Sequence, residues 1–185
     1  MRHSRGEHVA RTPSRRSVLR MGAIAGATVL SRRYAVASQC RSLSLYAVNT
    51  GERLAVEYCV DGRYEPGALH AIAHLLRDIH VDAVHPIDTA LLDSLARMSR
   101  LLGTRAPLHV VSGYRTRETN EKRRRYDHSV AANSYHIAGK AVDLFVPGRK
   151  LASVRHVALA LRAGGVGYYP DSGFVHVDTG PVRTW

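Results

Sequence analysis

Cysteine is scarce in this 185-residue chain, which has only Cys40 and Cys59. They form no Cys-x-x-Cys, which argues against a cysteine-ligated metal, although they could pair in an oxidising compartment. No Gly-x-Ser-x-Gly is present, and neither cysteine has a partnered histidine in view, so nucleophilic serine or cysteine catalysis is disfavoured. Gly164-Gly-Val-Gly167 lacks the spacing and the preceding strand of a dinucleotide loop. His70 and His74 lie four apart, but Ala71 stands where a zincin needs its glutamate, so they read as histidines on a partly exposed helix face. The basic run Lys122-Arg-Arg-Arg125 has no accompanying aromatic platform and reads as a solvated face, with no nucleic-acid partner. No segment is long and apolar enough to span a membrane stably.

What the chain does have is positive charge, +12 in all, and enough hydrophobic residues (45%) for a real core. The charge is uneven. Residues 1–37 carry eight arginines against one acid, Glu7, while the remainder carries 19 basic and 14 acidic residues. The first segment reads as an export signal. Arg15-Arg16, with Val18 and Leu19 after them, resembles a twin-arginine signal; the short apolar run Met21 to Leu30 follows, and Ala35-Val-Ala37 offers a small-x-small cleavage site. The expected division is a signal at 1–37 and one domain at 38–185. The expected partner is the twin-arginine export machinery, and the expected location is the periplasm.

Hydrophobic spacing predicts the elements of that domain. Leu43 to Val48 and Leu54 to Val60 form a hairpin. Pro66 starts a helix carrying Leu69, Ile72, Leu76 and Ile79. Ile87 to Leu102 forms another, with Asp88 at its start and an apolar stripe that includes Met98, Leu101 and Leu102. Pro107 to Val111 and Lys140 to Val146 read as strands, 128–135 as a loop and Val154 to Ala163 as a helix. Val166 to Tyr169 and Gly173 to Val177 read as paired strands.

The chemistry concentrates in Ser134-Tyr-His-Ile-Ala-Gly-Lys-Ala-Val-Asp143 and Phe174-Val-His-Val-Asp178. Asp143 is a carboxylate in an otherwise apolar strand and needs a partner, either a metal or an arginine with backbone amides. His136, Asp143 and His176 together make a ligand set common for hydrolytic zinc, with one position left for water. On the last strand His176 and Asp178 share a face. Arg115 follows the strand ending in Ser112-Gly113 and can present its guanidinium at a cleft edge.

Ser134-x-His136-x-x-Gly139-x-Ala141-x-Asp143, the later His176 and the upstream Ser112-Gly-Tyr-Arg115 resemble the zinc peptidases grouped as D-Ala-D-Ala peptidases and hedgehog-type domains. Within them the likeness is to periplasmic murein endopeptidases, and it extends over nearly all of 38–185, including Ala163 to Pro170 and the tail Phe174 to Trp185. The resemblance implies a hedgehog-like α+β fold, with a small antiparallel sheet flanked by helices. It also implies Zn2+ bound by His136, Asp143 and His176, and peptidoglycan stem peptides as substrate. The bond cut in such relatives is the diaminopimelate–diaminopimelate cross-link. A D,D-carboxypeptidase and a non-catalytic, zinc-stabilised cell-wall binding module are the alternatives. Many carboxypeptidase members place Glu three residues before the last histidine, and others place His two before it. Here those positions are Gly173 and Phe174. Asp178 is then the candidate for the general base, or for orienting His176. Arg115 would stabilise the oxyanion or hold a substrate carboxylate.

Overall fold

A computed structural model describes residues 40–127 and 130–185. The export-signal reading and the first residues of the 128–135 loop lie outside the described residues. The described part is α+β. Strands β1 (Arg41–Ala47), β2 (Arg53–Val60), β3 (Arg63–Tyr64), β4 (Leu108–Ser112), β5 (Ala141–Phe145), β6 (Gly165–Tyr169), β7 (Phe174–Asp178) and β8 (Arg183–Thr184) form one sheet, ordered β3-β2-β1-β4-β5-β7-β6-β8. Helices α1 (Pro66–Leu75) and α2 (Thr89–Leu101) come between β3 and β4. Helix α3 (Arg117–Tyr126) follows β4, and α4 (Leu151–Leu161) follows β5.

The sheet is mixed, which corrects the expectation of a purely antiparallel one. β1 pairs parallel with β4, because the chain crosses over through α1 and α2 between them. The two-residue β8, which hydrophobic patterning does not reveal, pairs parallel with β6.

Alternation divides the sheet into two faces. Leu43, Leu45, Leu108, Val110, Val142, Leu144, Val175 and Val177 join buried residues of α1, α2 and α4 in one core. Each such side chain contributes roughly 1.5–3 kcal/mol when fully buried. Residues of opposite parity, among them Asp143 and His176, belong to the other, open face.

The helices differ from their predicted extents: α4 starts and ends earlier than Val154 to Ala163, and α1 and α2 depart at their C-terminal ends. α1 stops before Ile79, which is 40% exposed. The chain leaves the helix there because the carboxylate of Asp78 is buried in a turn, accepting from Thr116 N and Oγ1 and from His80 N. In α2, Leu91, Leu95, Met98 and Leu102 follow the core stripe, whereas Leu101 falls off it and is 61% exposed. Lys122 to Arg125 lie exposed on α3, as expected of a solvated face.

Asp88 ties three regions together. Its Oδ1 accepts from Ala90 N (2.9 Å) to cap α2, its Oδ2 accepts from Thr179 Oγ1 (2.8 Å), and its own N–H donates to Gly139 O (3.0 Å). Asp88→Ala is expected to lower unfolding free energy by about 1–2 kcal/mol, the cost of a lost N-cap with a further hydrogen bond, as read by urea denaturation. An unchanged denaturation midpoint would show that Asp88 does not brace this corner.

Candidate metal centre

Asp143 and His176 are register partners on β5 and β7, so the pleat points both side chains to the open face. His136 arrives from outside the sheet, on a 3-10 turn over Tyr135–Ala138. Ser134 Oγ caps that turn by accepting from His136 N (3.4 Å). Gly139 ends it with φ +65°, and a Cβ there would lie 2.2 Å from the Pro86 carbonyl oxygen. Only glycine fits both the left-handed backbone and that approach.

The three side chains converge. His136 Nε2 lies 3.3 Å from Asp143 Oδ1 and 3.2 Å from His176 Nδ1, and His176 Nδ1 lies 2.8 Å from Asp143 Oδ1. Ligand atoms around a tetrahedral zinc, each about 2.0–2.1 Å from it, stand about 3.3 Å apart. Two edges of the triangle have that size, and the edge between Asp143 and His176 is shorter at 2.8 Å. Among the described residues this is the one histidine, cysteine and carboxylate group assembled tightly enough to hold an ion.

Hydrogen bonds on the outer sides of the rings decide which atoms face inward. His136 Nδ1 is 2.6 Å from the Gly113 carbonyl, which can only accept, so Nδ1 carries the proton and Nε2 presents a lone pair. His176 Nε2 is 3.1 Å from Asp178 Oδ2, so that nitrogen donates and Nδ1 faces inward. Two imidazole lone pairs and a carboxylate oxygen thus point at one another, an arrangement that a cation satisfies.

Asp178 stands behind His176. Its Oδ1 accepts from Gly165 N (2.9 Å), Gly180 N (2.8 Å) and Arg183 Nη1 (3.2 Å), and its Oδ2 from Arg183 Nη2 (2.7 Å). Burial opposes its charge, but His176, Arg183 and these amides hold its pKa well below the usual carboxylate range. Burial likewise opposes ionisation of Asp143, and His136 and His176 outweigh it, holding that carboxyl well down. Burial lowers the pKa of His136. It works the same way on His176, but Asp143 and Asp178 prevail and raise that pKa.

Arg115 is buried beside the cluster. Its backbone N–H donates to His136 O (3.2 Å), Nη2 is 4.0 Å from Asp143 Oδ2, and Nε has no hydrogen-bond partner. Desolvation lowers its pKa, yet a guanidinium stays charged. A cavity of about 290 Å³ opens at the cluster, lined by Arg115, Asp127, Tyr135, Phe174 and Trp185, among others. Gly173 lies in an exposed turn, and Phe174 stacks on Tyr169 at 4.7 Å between centroids.

Four of the five residues singled out in the sequence, Arg115, His136, Asp143 and His176, therefore line this cavity, while Asp178 stands behind His176 and outside the lining. Gly113, Arg183 and Trp185 were not singled out. Trp185 lies 5.3 Å from the His176 ring, and Arg183 lies against both Tyr135 and Trp185. The tail that holds them carries the resemblance, but no spacing rule assigns either a role. His70 and His74 take no part in the cluster.

A family profile described as peptidoglycan L,D-endopeptidase MepK matches residues 35–185. The peptidoglycan L,D-endopeptidase MepK of Escherichia coli K12 is 43% identical over 177 residues, covering 93% of this chain and 97% of that protein. The Shigella flexneri protein of the same name matches equally. A probable peptidoglycan L,D-endopeptidase MepK of Haemophilus influenzae is 46% identical over 146 residues, 78% of each chain.

A cation-binding role for the cluster predicts that His136→Ala and His176→Ala purify without the stoichiometric zinc of the unmodified protein. Full metal content in either variant, by elemental analysis, would refute the ligand assignment. Asp178→Ala, which frees His176 to rotate, should weaken zinc about 10–100-fold in competition with a chelator. Zinc binding should also weaken as pH falls, because a proton competes for His176 Nδ1.

Proposed function

We propose, on the premise that this chain belongs to the peptidoglycan L,D-endopeptidase MepK family, that it is a zinc metallopeptidase hydrolysing the peptide cross-links of peptidoglycan. The observation that carries this reading is the convergence of His136 Nε2, Asp143 Oδ1 and His176 Nδ1 at an open cavity beside a buried arginine. The L,D designation of the relatives supports the diaminopimelate–diaminopimelate cross-link as the bond cut.

His136, Asp143 and His176 would hold a zinc ion, which would supply Lewis acidity for amide hydrolysis. The chain's own residues do the rest. Gly113 O and Asp178 Oδ2 each accept a ring N–H and so hold the two imidazoles with their free lone pairs inward. Arg115 offers N–H donors to the oxyanion that forms on the carbonyl, or to a substrate carboxylate. Asp178 serves as a positioning residue. Its burial and its contacts with Gly165, Gly180 and Arg183 support that role over the general base, because its carboxylate lies on the far side of the His176 ring from Asp143. The hedgehog-type likeness agrees with a metal carried on the open face of the sheet. The sequence pattern of residues 1–37 supports twin-arginine export to the periplasm, where this polymer lies. Among the described residues no helix is long and apolar enough to cross a membrane.

A second reading, a zinc-stabilised binding module without turnover, draws on Gly173 and Phe174 standing where many carboxypeptidases of the resembling group place a glutamate, and others a histidine. Digestion of purified muropeptides with the zinc-loaded protein separates the readings. Loss of cross-linked dimers is expected. Release of terminal alanine would instead mean a carboxypeptidase, and an unchanged mixture would mean the binder. Arg115→Ala should keep its zinc and lose about 10²–10³-fold in turnover; wild-type kinetics would remove Arg115 from the mechanism.

A further inference from the structure

A row of rings crosses the open face beside the metal ligands. Phe145 is two residues beyond Asp143 on β5 and shares its face. Phe145 is in register with His109 on β4, His109 with Tyr46 on β1, and Tyr46 with Arg53 on β2. The rings touch in sequence: Phe145 to His109 at 5.0 Å and His109 to Tyr46 at 4.5 Å between centroids, with the Arg53 guanidinium 4.9 Å over Tyr46. On the other side of β5, Phe174 is two residues before His176 and pairs with Tyr169 on β6. Six adjacent strands each contribute one residue, a span of about 24 Å at the usual spacing between strands.

Water-facing positions of a one-sided sheet are ordinarily polar. Here the five rings are partly exposed, and α1, α2 and α4 pack into the core on the opposite face. Ser42, Ser44 and Glu57 continue the same face as a polar margin. Two ring groups, Phe145–His109–Tyr46 and Phe174–Tyr169, thus lie side by side across the neighbouring strands β5 and β7, and with their polar rim they mark a place where something docks.

We propose that this row is a docking strip for the glycan strand of peptidoglycan; the inference rests on the substrate class proposed above. Two observations select that occupant. The strip is continuous with the metal cavity, since Phe174 and Tyr169 line both and Trp185 Nε1 donates to Tyr169 Oη (2.7 Å). A glycan laid along it would deliver its attached stem peptide to the ligands. The charges also divide accordingly. The row has one permanent cation, Arg53, at its far end, and desolvation lowers the pKa of His109 so that the ring stays neutral. Flat neutral rings suit the C–H faces of neutral sugars, while Arg115, Arg123 and Arg183 line the cavity where the carboxylate-bearing peptide must sit.

Cross-strand rings also stabilise sheets, so the test must separate binding from folding. The full chain is titrated with neutral N-acetylglucosamine oligosaccharides as the glycan probe, and its turnover is measured on a sugar-free cross-linked peptide dimer. Tyr46→Thr and Phe145→Thr, which keep strand-forming residues, should each weaken glycan binding by about fivefold or more while dimer turnover stays within about twofold. Wild-type glycan affinity in both variants overturns the strip, and so does a parent protein that cuts the dimer but binds no glycan. Glycan binding without any dimer cleavage would overturn the peptidase reading and leave the strip standing. Should the variants unfold, isotope-labelled parent protein must show intermolecular NOEs from the Tyr46, His109 or Phe145 rings to sugar protons; their absence overturns the proposal.

Discussion

Mutual repulsion among His136 Nε2, Asp143 Oδ1 and His176 Nδ1 is the constraint on which the rest of this structure depends. Three electron-rich atoms 2.8 to 3.3 Å apart are unfavourable unless a proton or a metal lies among them. The ends of the rings that point away are therefore the ones that must be pinned. Gly113 O pins His136, and the backbone beside it is held in turn by Tyr114 N–H donating to Leu76 O at the end of α1 (2.7 Å). Asp178 pins His176 and is itself fixed by Arg183 from β8 and by two backbone amides. Core packing of α1 and pairing of the chain's last residues both end, through one or two hydrogen bonds, at the same three atoms.

The ligands were legible in the sequence because they obey short-range rules. His136 and Asp143 are seven residues apart around a glycine, and 174, 176 and 178 alternate on one strand. The hairpin and the α2 cap at Asp88 were legible for the same reason. The outer partners were not. Arg183 reaches Asp178 only because a two-residue strand lies parallel to β6, and two residues carry no hydrophobic period. The mixed character of the sheet follows from which strands become neighbours, which no local pattern states. Leu101 was misplaced in the core because leucines 101 and 102 look alike in sequence, and the helical angle between them decides burial. The ring row was the least legible feature. Its members sit at 46, 109, 145, 169 and 174 and become adjacent only through the order β1-β4-β5-β7-β6. A search for clustered aromatics along the chain could not find them.

Charge around the cavity is organised more finely than the overall +12 suggests. The negative charge of Asp178 is spent inside the fold, on Arg183 and His176, and does not face a substrate. Asp143 is shared between the two imidazoles and the more distant Arg115. A divalent ion among the ligands would bring two positive charges against one carboxylate, with the Arg115 guanidinium adding a third. The site then presents a net positive field to the cavity, where a carboxylate-rich peptide is attracted and a cationic one repelled. That preference rests mainly on the buried residues; Arg123 of α3 and Asp127 also line the cavity, with opposite charges, whereas the other exposed arginines of α3 lie in water and are screened over about 10 Å at ordinary salt. Selectivity for an acidic peptide and activation of its amide would then arise from the same few charges. The neutral ring row beyond them adds reach along the polymer without disturbing that field.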